Sequence, residues 1–334
     1  MPSASFDAVH VGANSVKVWT ALSIVYVVWG STYLAIRFTV ETMPAELSGG
    51  VRFLIAGLIL ATVVAVRRGP RALLAGGIRV RNAAICGLLV LMGGNGVVVI
   101  AETRVPSGLT ALLVASVPLW MIVMRRVGGA RVRGLTYGGV LLGLCGVALL
   151  FARSRGGDTD LRYAALVLLA AFFWSLGSLL ATRIDVPGEP MVLTTVEMLA
   201  AGVVMILFAG ARGEYGRVDL SAITTKSWLA LAYLIVFGSL VAFSAYIWVF
   251  ANAPTSLVST YAYVNPAVAV ALGALLAGER LAPTEVLGGL VILAAVVLVV
   301  RSEVERPARR EPVRAVVDAV TPLELAESCP SPAR

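Results

Sequence analysis

The 334 residues are 59% apolar and only 14% charged, whereas a soluble domain of this length carries about 25% charged residues. So much apolar surface cannot be hidden from water by folding alone, so the composition excludes an ordinary soluble domain and points to lipid as the solvent. The formal charge is +8, but most of the Arg residues sit in a few loops and the C-terminal tail, with no interleaved aromatic groove, which argues against nucleic-acid binding.

The N-terminus has no basic segment leading into a short apolar stretch with a small-residue cleavage site, so the first apolar run is read as a retained span. About 20 apolar residues cross a bilayer core. Ten segments reach that length: 18–36, 47–66, 83–101, 105–124, 134–152, 162–182, 191–210, 227–250, 254–277 and 284–300. The expected division is a cytoplasmic N-terminus (1–17), a first unit (18–152), a joining loop (153–161), a second unit (162–301) and a disordered cytoplasmic tail (302–334).

The second unit repeats the first. Trp29 opens W-G-S-T-Y-L-A-I-R and Trp174 opens W-S-L-G-S-L-L-A-T-R. Twenty-three residues after each Trp stands the one charged residue of the next apolar segment, Arg52 or Glu197. An Ala-Gly pair follows in each copy, Ala56-Gly57 and Ala201-Gly202. Later, Pro106-Ser107 precedes Pro118 by the same 12 residues that separate Pro254 from Pro266. Each copy holds five spans, an odd number, so the copies must enter the membrane with opposite orientation. The expected fold is therefore an all-α integral membrane protein of ten transmembrane helices in two inverted five-helix repeats. Secondary transporters are built this way, with the substrate site between the repeats.

Arg67, Arg68, Arg71, Arg79 and Arg81 lie between spans 2 and 3, and Arg125, Arg126, Arg131 and Arg133 between spans 4 and 5. On the opposite face of the first unit stand only Arg37 and Arg104. The positive-inside rule makes the Arg-rich loops cytoplasmic, and an even number of spans then puts both termini there. In the second unit Arg212, Arg217 and Lys226 fall on the outer face, so the orientation rests on the first five spans.

Several motifs fit one known pattern. They are W-G-S-T-Y-L-A-I-R (29–37), G-V-R-F-L-I-A-G (50–57), G-N-G (94–96), V-P-S-G-L-T-A-L-L-V-A-S-V-P-L-W (105–120), Y-A-Y-V-N-P (261–266) and G-E-R-L (278–281). In order and spacing they resemble the EamA family of the drug/metabolite transporter superfamily, and within it the YedA-like exporters, over residues 18–301. The resemblance implies ten helices in two inverted repeats and efflux of metabolites or drugs across the inner membrane. The chain departs from the pattern in three places. Val-Gly-Gly-Ala-Arg (127–131) stands where the second repeat has Gly-Glu-Arg, and Glu197 and Thr103 replace the Gln of YedA-like members.

An ionised side chain inside a bilayer persists only against a bundle interior, water or a partner. Arg52 and Glu197 are thus candidates for function. Their distances from the helix centres place them in opposite leaflets, so two separate polar sites are expected, not one ion pair. For Arg52 the alternative is a structural arginine tied to a carbonyl or to Glu102. Glu197, with no long stem to reach water, is the proton-coupling candidate; its alternative is a neutral carboxyl bonded to a helix backbone. Candidate substrate-binding residues are Trp29, Ser31, Thr32 and Tyr33 in span 1 and Trp174 and Ser178 in span 6, where aromatic faces beside hydroxyls suit a mixed polar and apolar ligand. To these are added Arg52, Asn95, Trp120, Tyr261, Tyr263 and Asn265, the last before Pro266, which like Pro118 breaks a span. Helix packing through small residues is the competing reading for most of them. Glu279 and Arg280 read as a local pair or helix cap, and Gly139, Gly143, Gly288 and Gly289 as contacts between spans 5 and 10.

The single His10 and the unpatterned Cys86, Cys145 and Cys329 argue against a metal or disulfide framework, and no Walker A run is present, so no cofactor is expected. The partners expected are the lipid bilayer and a small-molecule substrate, with monomer or homodimer left open. The leading function is a secondary transporter exporting small metabolites or drugs, amino-acid-like or amphipathic, by alternating access, with or without proton coupling. The rivals are a lipid-intermediate flippase and an uncoupled facilitative carrier. An intramembrane enzyme is disfavoured, since no His or Asp and only one deep Glu lie within the spans.

Overall fold

The computed structural model describes residues 6–74, 76–129, 134–154, 160–253, 255–258 and 260–304. Expectations for the tail, for most of the joining loop and for Arg131, Arg133 and Pro254 lie outside the described residues. The described residues form helices and turns, with no strand. That follows from the composition, since backbone groups in lipid must be satisfied within their own segment.

The apolar helices in chain order are α1 (Phe6–Val40), α2 (Ala45–Arg68), α3 (Gly77–Ala101), α4 (Ser107–Val127), α5 (Gly134–Ser154), α6 (Leu161–Ala181), α7 (Pro190–Ala211), α8 (Thr225–Val249), α9 (Tyr261–Leu276) and α10 (Pro283–Val304). Eight of them are long and apolar enough to cross a membrane. The apolar parts of α5 (Gly134–Leu150) and α9 are shorter. Leu58, Leu141, Leu207, Leu229, Leu275 and Leu290 are exposed around the outside, as expected of a surface that meets lipid rather than water.

Packing follows the sequence repeat. The most extensive contacts are α2 on α7 and α5 on α10, each joining equivalent helices of the two units. The remaining contacts come in matched pairs: α1 packs on α8 and α9, and α6 packs on α3 and α4. Along the α2–α7 seam, a Cβ on Gly50 would meet Ile206 and one on Gly57 would meet Leu199. Residue numbers rise on one helix as they fall on the other, so the two run antiparallel. The repeated Ala-Gly pairs lie at their crossing. A Cβ on Gly202 would stand 2.5 Å from the backbone nitrogen of Leu54, so only glycine permits this approach.

Two irregularities also recur. Leu88–Gly96 in α3 and Leu234–Val241 in α8 are π-helical, at equivalent places in the two units. Such widened turns are rare and concentrate at functional sites. Span 4 is interrupted at Ala115-Ser116, just before Pro118, whereas α9 continues through Pro266.

Polar ties, most of them between the units, gather at both ends of the bundle. At the end holding the α1–α2 turn, the Arg37 guanidinium donates to the Glu102 carbonyl (2.7 Å) and Arg212 pairs with Glu46 (3.2 Å). There too Lys226 pairs with Glu41, and the Ser227 hydroxyl donates to the Phe38 carbonyl (2.7 Å). Glu279 caps α4, accepting from the backbone N–H of Ser107 (2.8 Å) and Gly108 (3.0 Å), which is the helix-cap role expected of it. At the opposite end Arg68 pairs with Glu189, and Asp185 holds Arg79 (2.9 Å) and, through its carbonyl, the Asn82 amide (2.9 Å).

Candidate functional site

A cavity of about 690 Å³ lies between the units, within the size range of small-molecule sites. Its wall is built from helix stripes. Trp29, Thr32, Tyr33 and Ile36 of α1 follow the spacing of one helix face, as do Val114, Val117, Pro118, Met121, Ile122 and Arg125 of α4. Tyr261, Ala262, Asn265 and Pro266 come from α9, Asn95 from α3, Trp174 from α6 and Tyr246 from α8. Arg125, Val258 and Val300 place the cavity's lower part toward the Asp185 end, while the ties around Glu102 and Glu279 close the other.

The aromatic side of the cavity is a corner of rings. Trp29 lies 5.0 Å from Tyr246 and 5.5 Å from Tyr261, centroid to centroid, and Tyr246 lies 5.7 Å from Tyr261. The Trp29 indole N–H donates to the Gly238 carbonyl at 3.3 Å, inside the α8 π segment. Trp174 is its counterpart, packed on Gly94 inside the α3 π segment. Each repeat thus seats its tryptophan on the other repeat's widened turn.

Arg52 is buried, 3% exposed, and does not line the cavity. Its Nε donates to the Ser239 hydroxyl (2.9 Å) and its Nη1 to the side-chain Oδ1 of Asn95 (3.4 Å). These two partners belong to the two π segments, one from each unit. A single guanidinium therefore ties both irregular turns together and touches the cavity through Asn95. Asn265 also lines the cavity, and its side-chain oxygen is buried without a hydrogen-bond partner among the described residues.

Of the residues singled out in the sequence, Trp29, Thr32, Tyr33, Asn95, Trp174, Tyr261 and Asn265 meet at the cavity. The structure places Ser31, Arg52, Trp120, Ser178 and Tyr263 outside its lining. Ser31 falls off the α1 stripe, and its hydroxyl lies 2.6 Å from that of Tyr233. Tyr263, two residues from both Tyr261 and Asn265, points about 200° away from each on a helix and packs against the core around α4, α5 and α10. Trp120 leaves the α4 stripe and meets Phe172 edge-on at 5.5 Å. Ser178 is a turn beyond Trp174. Glu197 is half-buried where α7 meets α3, its Cα facing Gly87. No ion pair links it to Arg52 among the described residues. Tyr246 and Arg125 are lining residues that sequence reasoning missed. Tyr246 lies in the aromatic run F-S-A-Y-I-W (243–248), a usable signal, whereas Arg125 reads as an ordinary loop charge.

Long apolar helices with exposed leucines around a largely apolar cavity define a multi-pass membrane protein. A model of the EamA-like transporter family matches residues 18–152 and again 161–301, and the chain belongs to this family. An inner membrane transporter of Escherichia coli K12, YedA, described as uncharacterized, is 40% identical over 297 residues, covering 86% of this chain and 92% of that one. A probable amino-acid metabolite efflux pump of the same organism is 25% identical over 278 residues, covering 81% and 90%. A known crystal structure superposes with a TM-score of 0.57 at 18% identity, covering 89% of this chain and 99% of the other; that likeness is one of fold alone. The chain is thus a membrane transporter of the drug/metabolite superfamily, in the plasma membrane.

Proposed function

We propose that this protein exports small amphipathic, amino-acid-like metabolites or drugs by alternating access. The carriers of movement are two inverted five-helix repeats, α1–α5 and α6–α10, rocking about the α2–α7 and α5–α10 seams. The antiparallel course of α2 and α7, with the same Ala-Gly pair at the crossing in each copy, supports an axis lying in the membrane plane. Taken with the Arg-rich loops, both termini are cytoplasmic, the Asp185 end faces the cytoplasm and the Glu102 end faces out. The conformation described is then open toward the inside, ready to load substrate for export.

The observation that carries the substrate class is the Asn265 oxygen, buried at the cavity wall without a donor. An unmet acceptor beside an aromatic corner favours a ligand with an N–H donor and an apolar body. The similarity to a probable amino-acid metabolite efflux pump supports such a ligand. Coupling to the proton gradient remains part of the proposal, with Glu197 as one proton-carrying candidate acting through the α3–α7 contact.

The test is uptake of a panel of amino acids, their amides and amphipathic drugs into inside-out vesicles, with and without an imposed proton gradient. Wild type, Asn265→Ala and Glu197→Gln are compared. Accumulation that weakens in Asn265→Ala for N–H-bearing compounds supports the reading. Vesicles that accumulate nothing on the panel, or transport indifferent to Asn265, would sink the substrate assignment.

A further inference from the structure

The proton-coupled export reading left one buried acid unused. Glu102 ends α3 and is 0% exposed, yet both its carboxylate oxygens lack a hydrogen-bond partner among the described residues. A carboxylate buried in that way is costly unless it is neutral or paired. Around it stand groups that could pair with it. Arg37 of α1 already donates to its backbone carbonyl, and Tyr33 of α1, Arg52 of α2 and Glu279 after α9 all lie within electrostatic reach. Arg104, two residues along its own turn, and Arg162, at the start of α6, are exposed; Tyr163 of α6 packs against the core cluster that holds Ala101, and the rest of α6, from Ala164 to Ala181, has no ionisable residue.

Its position is as informative as its isolation. On one side lies a polar vestibule of about 280 Å³ lined by Arg37, Glu41, Pro106, Lys226 and Glu279. On the other lies the substrate cavity, lined by Tyr33 and by the Asn95 that Arg52 holds. Glu102 therefore sits between the outer vestibule and the cavity, behind the ties that close the outer end. Arg37 and Glu279 belong at once to the vestibule wall, to those ties and to the surroundings of Glu102.

We infer that Glu102 is a proton-binding site of the transport cycle, loaded from the outer vestibule when the Arg37 and Glu279 ties open, and that Arg52 relays its state to the cavity. With the carboxyl protonated, Arg52 is left to Ser239 and Asn95, as observed. When the proton leaves for cavity water, the carboxylate draws Arg52 toward itself, Asn95 is released into the cavity wall, and the two π segments lose their shared tie. The cycle moves one proton from outside water to the carboxyl and then to cavity water, with no bond made or broken except to that proton. The inference rests on the transporter reading, but its site is measurable without a substrate.

The test is infrared difference spectroscopy of the full chain in liposomes, following the band of a protonated carboxyl as outside pH is stepped. Wild type, Glu102→Gln, Glu102→Asp, Glu197→Gln and Arg37→Gln are compared. The expected result is a titrating carboxyl band that disappears in Glu102→Gln, moves in Glu102→Asp, persists in Glu197→Gln and shifts its midpoint in Arg37→Gln. A band unaffected by either Glu102 variant, or lost in Glu197→Gln instead, overturns the inference. Should Glu102→Gln fail to fold, the Asp variant decides: an unmoved band in a folded protein is equally fatal. In the vesicle panel, transport that survives while this band is missing would separate failure of the proton site from failure of the transporter reading.

Discussion

Arg52 and Glu197 occupy the same place in the two repeats, and their surroundings could hardly differ more. Arg52 is buried with two side-chain partners, Ser239 and Asn95, drawn from both units. Glu197 is half-buried against the α3 backbone, and its carboxylate makes no hydrogen bond among the described residues. The shared backbone plan extends to the helix seams, the π segments and the tryptophans seated on them. What has diverged is the polar chemistry hung on that plan. If the proposed rocking holds, it needs two similar halves, whereas recognising a ligand from one side needs the halves to be chemically unlike.

The seam is where that shared plan can be broken most severely. Gly202→Leu would drive a side chain into the backbone of α2, and overpacking of this kind costs about 3 kcal/mol, enough to unseat α2 from α7. Gly57→Leu should behave alike because it faces Leu199 across the same crossing. Gly138→Ala, where nothing lies within 4 Å, is the control and should be neutral or slightly stabilising. Thermal unfolding in detergent micelles, followed by size-exclusion of the surviving fraction, gives the comparison. A stable Gly202→Leu protein would show that the two repeats do not depend on this contact.

Next in size is the difference between the paired charges themselves. Arg52→Lys replaces the guanidinium fork, which reaches Ser239 and Asn95 from two different nitrogens, by a single nitrogen and should lose at least one of the two bonds; hydrogen bonds to charged groups contribute about 1.5–3 kcal/mol each. Glu197→Gln removes no hydrogen bond and should change stability by less than about 0.5 kcal/mol. The same melting experiment measures both variants. Equal losses would mean that Glu197 has a structural partner and that the contrast drawn above is false.

Much of this was legible before any coordinates, because a repeat with conserved spacing between its own copies survives as a pattern in the letters. The Ala-Gly pairs, Trp29 with Trp174, and Glu279 as a cap all carried visible signals. Helix faces were harder, because one residue of phase turns a side chain by about 100°. That is why Thr32 reached the cavity and Ser31 did not, and why Tyr261 and Asn265 did while Tyr263 turned into the core. The π segments were only half visible. Gly93-Gly94-Asn95-Gly96 is conspicuous, but L-I-V-F-G-S-L-V (234–241) reads as ordinary membrane helix, so the pairing of Arg52 with Ser239 had no signal in sequence. Glu102 looked like the end of a span, and only its packing revealed a carboxyl without partners.

The capping carboxylates offer a milder contrast. Glu279 caps α4 and Glu214 caps α2, each reaching from the second unit to a helix start in the first. Losing an N-terminal cap costs about 1 kcal/mol, so Glu279→Ala should lower the melting temperature modestly at every pH. A drop confined to one pH range would mean that its ionisation, not its cap, matters.

Glu214 should differ from Glu279 in this respect. Its carboxylate accepts from the Leu47 N–H at 2.9 Å, which favours the charged form, but burial and the hydrogen bond with the Glu46 side chain outweigh this and push its pKa up to about 7 from 4.5. The folded protein therefore holds this proton more tightly than the unfolded chain does. By linkage the stabilising contribution is complete below the unfolded pKa of 4.5 and is lost as pH rises through about 7. Wild type should then melt lower at about pH 8 than at about pH 5, and Glu214→Gln, which keeps a neutral acceptor at the α2 start, should flatten that difference. If both proteins show the same pH dependence, the proton lies on another group and Glu214 is a plain cap like Glu279. If the slope vanishes with Glu214, the end of the bundle that holds the α1–α2 turn is fastened more firmly in acid through this one proton.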